Sequence, residues 1–290
     1  MDFCWKHRCG TLDLSEVGAI MGVVNVTPDS FSDGGRYLGA AAAVAHSLSL
    51  VEAGATIIDL GGESTRPGAG RVSAAEQRRR TIPVIAGLRK QSDVLISIDT
   101  TLAEVAEAAI EAGADIVNDV SGLREDPAMV GVCARAGVGV VVMHMQGEPR
   151  TMQVAPKYRD VVSEVRSFFA TQEAVAVGAG IDPASLVFDP GIGFGKSLDH
   201  NLALIRATGG LAPRPGRPVL LGISRKSFIG KVLGSEALAD RAWPTVALTA
   251  LGRENGARLF RVHEVARNVQ ALRLAEAVLG MKRGEGTEGT

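Results

Sequence analysis

One unit recurs along this chain. A helix-like run closes on a glycine, a short run of β-branched and apolar residues follows, and that run stops at polar residues. It reads VEAGATIIDLGGEST at 51–65, IEAGADIVNDVSG at 110–122, ARAGVGVVVMHMQG at 134–147 and RENGARLFRVHEV at 253–265. Gly54, Gly113, Gly137 and Gly256 stand where helices commonly end in the left-handed conformation. The runs behind them do not alternate, which is the pattern of strands covered on both faces. Such runs number eight, at 19–25, 55–60, 94–98, 115–118, 138–143, 186–189, 218–222 and 257–262. Most gaps between them hold a helix and two turns. Ser73-x-x-Glu76 and Thr101-x-x-Glu104 fit capping boxes, and Leu102, Val105, Ala109 and Ala112 follow at helical spacing. Eight alternating β and α units predict an α/β fold, a TIM (β/α)8 barrel in a single domain. A doubly wound open sheet is the alternative, normally with fewer strands at this length. Residues 1–18 are expected to form an N-terminal extension closing the barrel bottom, 19–281 the barrel, and 282–290 (KRGEGTEGT) a disordered tail.

Composition excludes several classes. The 290 residues are 46% apolar, ample for a core, and their net charge of −1 lacks the basic excess of a broad nucleic-acid surface. No apolar run reaches membrane-spanning length, and MDFCWKHRCGTLDLSE puts charges where a signal peptide has its apolar segment. The expectation is a cytoplasmic protein. Three cysteines, Cys4, Cys9 and Cys133, make no disulfide framework. Cys4, His7 and Cys9 have no second ligand pair at zinc spacing, so they read as free thiols in a terminal segment.

The stretch DPGIGFGKS at 189–197 ends as a P-loop does. A P-loop requires glycine five residues before Gly195, and Pro190 stands there without an N–H to offer a phosphate. The glycines Gly191, Gly193 and Gly195 also miss the dinucleotide spacing. What remains is a carboxylate, Asp189, at the end of the buried strand Leu186-Val187-Phe188, followed by a Gly-rich loop. Lys196-Ser197 then lead into the next helix.

In a TIM barrel the site lies at the C-terminal ends of the strands. Taken in order, those ends give Asn25; Glu63, Ser64, Thr65 and Arg66; Asp99; Asn118; His144; Asp189; Ser224, Arg225, Lys226 and Ser227; and Arg261 and His263. Asp and Asn in such places also cap helices, which accounts for one or two of them but poorly for a whole ring. Arg66, Arg225, Lys226, Arg261 and His263 suggest an anionic ligand at this mouth, although Arg225 alone reads better as a surface ion pair. Asp99, Asn118 and Asp189 suit a flat heterocycle with adjacent N–H donors, such as a pterin. A metal cluster or an acid–base pair for glycoside chemistry fits the same residues. Ser224 is no nucleophile elbow, because Lys226 stands where G-x-S-x-G needs glycine.

The segments MGVVNVTPDSFSDGG (21–35), DLGGESTRPGA (59–69), ISIDT (96–100), NDVSG (118–122), MHMQGEPRTMQ (143–153), FDPGIGFGKS (188–197), GISRKSFIG (222–230) and RVHEV (261–265) together resemble the motif set of the dihydropteroate synthase family. They fall in family order across residues 8 to about 280. The resemblance implies a pterin-binding TIM barrel, cytoplasmic and homodimeric, with small-molecule substrates and no nucleic acid or membrane partner. The implied reaction joins 6-hydroxymethyl-7,8-dihydropterin pyrophosphate to p-aminobenzoate with Mg²⁺, giving dihydropteroate and pyrophosphate by an SN1-like substitution. It implies that Asp99, Asn118, Asp189 and Lys226 hold the pterin and that Asn25 ligates Mg²⁺. Arg66, Arg261 and His263 would hold the pyrophosphate, with Thr65 beside it. Ser227, Lys226, Phe194, Phe31 and Pro67 would shape the aminobenzoate pocket, and Gly222 falls among the substrate-binding positions. Asp99, Lys226, Arg261 and His263 are the implied catalytic set. Loops 26–38 and 61–72 would close over the site.

One position departs from the family pattern, Glu264 standing where RVHDV has Asp. A pterin-binding domain of a corrinoid-dependent methyltransferase is a second reading, against which the RKS loop and Arg261-x-His263 count. A barrel that binds a pterin without catalysis is a third. Trp243-Pro244 reads as structural, in the last helix.

Overall fold

A computed structural model describes residues 2–27, 35–63, 70–147 and 151–281. The eight expected runs all form strands: β3 (Ala19–Asn25), β4 (Ile57–Gly61), β5 (Leu95–Asp99), β6 (Ile116–Asp119), β7 (Gly139–Met143), β8 (Leu186–Asp189), β9 (Leu220–Leu221) and β10 (Leu259–Val262). They pair in parallel in the order β8-β7-β6-β5-β4-β3-β10-β9. A bridge from Phe188 to Val219 then brings the two ends of the sheet together. This nearly closed ring is a TIM barrel, and the open doubly wound sheet is excluded. Around it run α1 (Gly35–Glu52), α2 (Ala74–Arg89), α3 (Ala103–Ala112), α4 (Met129–Ala136), α5 (Val161–Gly178), α6 (Leu198–Arg206), α8 (Ala242–Glu254) and α9 (Val265–Val278). A short extra helix, α7 (Ser227–Leu233), lies between β9 and α8.

The repeat glycines do what their positions require: φ is +99° at Gly54, +119° at Gly113, +64° at Gly137 and +96° at Gly256. One helix start differs from the expectation. Thr101 does not cap α3; Leu102 takes that position without a side-chain bond. Asp126 from the following loop instead accepts from the Ala103 N–H at 2.9 Å, and Glu104 turns outward to Arg78 at 2.6 Å. A tertiary carboxylate has replaced the local cap. Ser73 does cap α2, accepting from the Glu76 N–H at 3.3 Å, while the Glu76 side chain pairs with Arg79 and Arg80. Trp243 lies in the first turn of α8, not in the last helix; its ring is exposed and covered only on one side by the Arg267 guanidinium at 4.8 Å.

Two strands precede the barrel. β1 (Cys4–His7) and β2 (Gly10–Asp13) form an antiparallel hairpin. Trp5 and Leu14 are fully buried among Ala19, Met21, Ile57, Ile116, Val141, Val187, Leu220 and Leu259, the inward-facing residues of the lower barrel. The Trp5 indole N–H donates to the Ser185 carbonyl at 2.9 Å, and a Cβ at Gly139 would fall 3.0 Å from the ring. The structure thus places Trp5 of the hairpin, and Leu14 just after it, beneath the ring of strands. Trp5→Ala leaves a hole there that a ring of strands cannot collapse to fill. We expect a loss of about 3–5 kcal/mol of stability, read as a shift of the denaturant midpoint.

Candidate active site

Side chains of a strand alternate between its two faces. In the lower barrel the inward positions are apolar: Met21, Ile57, Ile116, Val141, Val187, Leu220 and Leu259. Two residues further along each strand, the same face presents Val23, Asp59, Asn118, Met143, Asp189, Gly222 and Arg261. Asn25 and His263 stand two residues beyond Val23 and Arg261, and β5 supplies Ser97 and Asp99 in the same alternation. The outward positions, among them Ile58, Leu60, Ile96, Ile98, Val140, Val142 and Phe188, pack against the helices. An apolar floor therefore carries a polar storey at the C-terminal ends of the strands.

A cavity of about 420 Å³ opens above this storey. Asn25, Asn118, Asp189, Phe194, Gly222, Lys226, Ser227, Arg261 and His263 all line it. Asp99 does not reach its wall but is tied to it, since its carboxylate accepts from Arg261 Nη2 at 2.7 Å. Phe31, Thr65, Arg66 and Pro67 lie outside the described residues, as does most of the two loops expected to close over the site.

The strongest link in the storey is one that sequence reading missed. Asp59, fully buried in the middle of β4, accepts from Arg261 Nε at 2.6 Å, from the Ser97 hydroxyl at 2.6 Å and from Asn118 Nδ2 at 3.3 Å. It sat inside the apolar run IIDLG, so it read as strand and not as site. An acid two residues beyond an inward isoleucine was the available signal. Arg261 is consequently clasped by two carboxylates. Burial alone would lower its pKa, but Asp59 and Asp99 outweigh that and hold it above its ordinary value. Burial raises Asp99, with Arg261 opposing and Asp59 adding to the rise, as expected for two acids sharing one cation.

Asp189 is buried, and one of its oxygens accepts from the Gly191 N–H at 2.7 Å. Burial raises its pKa against that bond and against Lys226. A Cβ at Gly222 would fall 3.3 Å from the other oxygen, so glycine there leaves the carboxylate room. Lys226 extends over the Phe194 ring, its Nζ 4.0 Å from the centroid. Burial lowers its pKa to about 8, with Asp189 opposing. His263 Nδ1 lies 2.9 Å from the Ser224 hydroxyl, a second contact not foreseen. Arg225 is spent on Glu264, donating to it at 2.7 Å, and Arg267 binds the other oxygen at 3.1 Å. The Glu264 departure therefore serves an ion pair between β10 and the β9 loop. Ser197 caps α6 in a reciprocal box with His200, which removes it from any phosphate cradle.

The model of the pterin-binding enzyme family matches residues 21–263. The dihydropteroate synthase of Mycobacterium leprae is 48% identical, over 90% of this chain and 93% of its own length. That of Synechocystis is 45% identical over 89% of each. The structure of the Xanthomonas albilineans dihydropteroate synthase with 4-aminobenzoic acid superposes with a TM-score of 0.86 at 46% identity, covering 94% of this chain and 96% of that one. The chain belongs to the dihydropteroate synthase family. Membership makes it a transferase, and it separates readings that the residues left open: the acids at this mouth belong to a pterin-binding barrel, not to glycoside chemistry. Among the described residues, no group of three or more His, Cys, Asp or Glu could hold a metal ion. Nor is any described helix long and apolar enough to cross a membrane.

Proposed function

We infer that this chain condenses 6-hydroxymethyl-7,8-dihydropterin diphosphate with 4-aminobenzoate, giving 7,8-dihydropteroate and diphosphate. The observation that carries this is the composition of one cavity wall. Asn118 and Asp189 stand deep in the cavity, with Lys226, Arg261 and His263 around the same space. The solved Xanthomonas albilineans relatives, one with 4-aminobenzoic acid and one in complex with 7,8-dihydropteroate, support the same pairing of ligands.

The reaction breaks the bond between the pterin methylene and the diphosphate oxygen and forms a bond from that methylene to the arylamine nitrogen. The nitrogen sheds one proton to solvent. An arylamine is neutral near pH 7, so the demanding step is departure of the diphosphate, which leaves positive charge on the pterin methylene. In this reading Asp189 accepts from the N–H edge of the heterocycle through its uncommitted oxygen, and Asn118, oriented by Asp59, reads the adjoining edge. Asp99, behind the wall and tied to it through Arg261, stabilises the cation by its charge. Lys226 binds the pterin from the Phe194 side. Arg261 and His263, joined by Thr65 and Arg66, hold the diphosphate. Phe194, Ser227, Phe31 and Pro67 shape the arylamine subsite.

Mg²⁺ suits this donor set as a companion of the diphosphate. Mg²⁺ keeps several waters and takes one or two protein oxygens together with substrate phosphates, and Asn25 offers a side-chain amide on the cavity wall, with no acidic cage around it among the described residues. Bound there, it would add positive charge to the leaving group. We further infer a cytoplasmic homodimer; exposed Leu251, Leu274 and Val278 on α8 and α9 support an association surface.

Diphosphate release by the purified chain tests the reading. Release should require the pterin diphosphate, 4-aminobenzoate and Mg²⁺ together. Tight pterin binding with no release would favour a barrel that only binds.

A further inference from the structure

Lys196, in the motif DPGIGFGKS, has no part in the reaction above, yet it is 3% exposed. Its ammonium donates to the Phe194 carbonyl at 2.9 Å and the His144 carbonyl at 3.3 Å, and lies 3.0 Å from His144 Nδ1. Three N–H bonds meet three neutral acceptors, and none of the ion pairs among the described residues includes this lysine. His144 is 7% exposed; burial, with the Lys196 and Arg124 charges beside it, pushes its pKa to about 3. The imidazole is therefore neutral, and Nδ1 turns a lone pair to the ammonium while Nε2 carries the hydrogen.

These contacts join two loops on the C-terminal side of the barrel. The loop after β7 supplies both groups of His144, and the loop after β8 supplies Lys196 and the Phe194 carbonyl. The backbones also meet directly. Gly191 and Gly195 have φ of +64° and +62°, and a Cβ on either would run into the His144 or the Gln146 carbonyl. The Tyr158 hydroxyl donates to the Gly195 carbonyl at 3.0 Å from the far side. Phe194 is held between these bonds, its own N–H donating to the Gly191 carbonyl at 3.0 Å. Its ring faces the cavity with Met143 and Met152 and lies under Lys226.

We propose that Lys196 and His144 form a buried clasp that fixes the Gly-rich loop and thereby the Phe194 ring, making Lys196 a positioning residue for the arylamine substrate. Burial lowers the Lys196 pKa to about 7, with Asp189 opposing, and below that pH the ammonium offers three donors to the three acceptors that converge from two different loops. The proposal rests on Phe194 lining the arylamine subsite.

The test is Lys196→Met in the full chain. We expect the KM for 4-aminobenzoate to rise about tenfold, while the KM for the pterin diphosphate stays within twofold. A double-mutant cycle with Phe194→Ala separates positioning from general loss of structure: the pair should be no worse toward 4-aminobenzoate than Phe194→Ala alone, whereas unrelated defects add. Amide hydrogen exchange across 189–197 should quicken at least tenfold in Lys196→Met. If that variant does not fold, His144→Leu, which removes the side-chain acceptor and leaves the two carbonyls, takes its place with a smaller rise and the same cycle. An unchanged arylamine KM in the folded variant, additive losses in the cycle or unchanged exchange would each overturn the clasp. Lack of turnover in the wild-type chain would count against the reaction, and exchange at 189–197 would still judge the clasp by itself.

Discussion

Lys226→Ala is expected to weaken binding of the dihydropterin diphosphate by about 30- to 150-fold, the ~2–3 kcal/mol of a lost charge-assisted hydrogen bond. The loss has two sources. The ammonium over Phe194 disappears, and so does the positive charge that opposes the burial-driven rise of the Asp189 pKa. Asp189 then holds its proton to higher pH and is a poorer acceptor for the heterocycle's N–H groups. Burial brings Lys226 itself to about 8. The ammonium is present below that pH and lost above it, so kcat/KM for the pterin should fall as pH rises through about 8. That limb should vanish from the residual activity of Lys226→Ala. Calorimetry that finds unchanged pterin affinity, or a basic limb that persists in the variant, would remove Lys226 from the site.

The barrel was legible because its signals are local. A glycine that ends a helix is followed at once by a buried strand in four places, and eight buried runs in all leave few ways to arrange them. The cavity wall was legible where a polar residue ends a strand, as at Asn25, Asn118, Asp189 and Arg261. Residues within a strand or behind a loop were not. Asp59 lies between Ile58 and Leu60, and nothing short of the inward alternation distinguishes it from a strand residue. His144, the partner of Lys196 on the other loop, stands 52 residues earlier in the chain, so the lysine's motif suggested only a helix approach. The Thr101 cap failed for the same reason: Asp126, distant in the chain, satisfies the same backbone donor. Where tertiary partners compete with local ones, the spacing of residues says nothing about the winner.

Asp59→Asn should separate the two functions of the buried acid. In the native storey all three of its neighbours donate: Arg261 Nε, the Ser97 hydroxyl and Asn118 Nδ2. An asparagine offers one oxygen and one amide group in their place. If its oxygen serves Arg261, its amide confronts the remaining donors. The Ser97 hydroxyl can turn to accept, but Asn118 Nδ2 cannot. Asn118 must then rotate, turning its oxygen to position 59, and its pterin-facing edge becomes the donor in place of the acceptor. Arg261 keeps Asp99 at 2.7 Å, so its charge is not left unpaired and the stability loss should stay near ~2–3 kcal/mol, below the ~3–5 kcal/mol for breaking a buried ion pair outright. The effect on kcat/KM for the pterin diphosphate should be larger, on the order of 100- to 1,000-fold, because Asn118 and the Arg261–Asp99 pair are both displaced. With Asp59 gone, Asp99 also loses a neighbouring negative charge and should release its proton at lower pH, which moves any acid limb of the pH profile downward. A purely structural role for Asp59 predicts the opposite ordering: a lowered unfolding midpoint with pterin affinity intact. The ratio of those two losses, measured on one variant, decides whether the buried acid orients the ligand-reading groups or only fills the barrel.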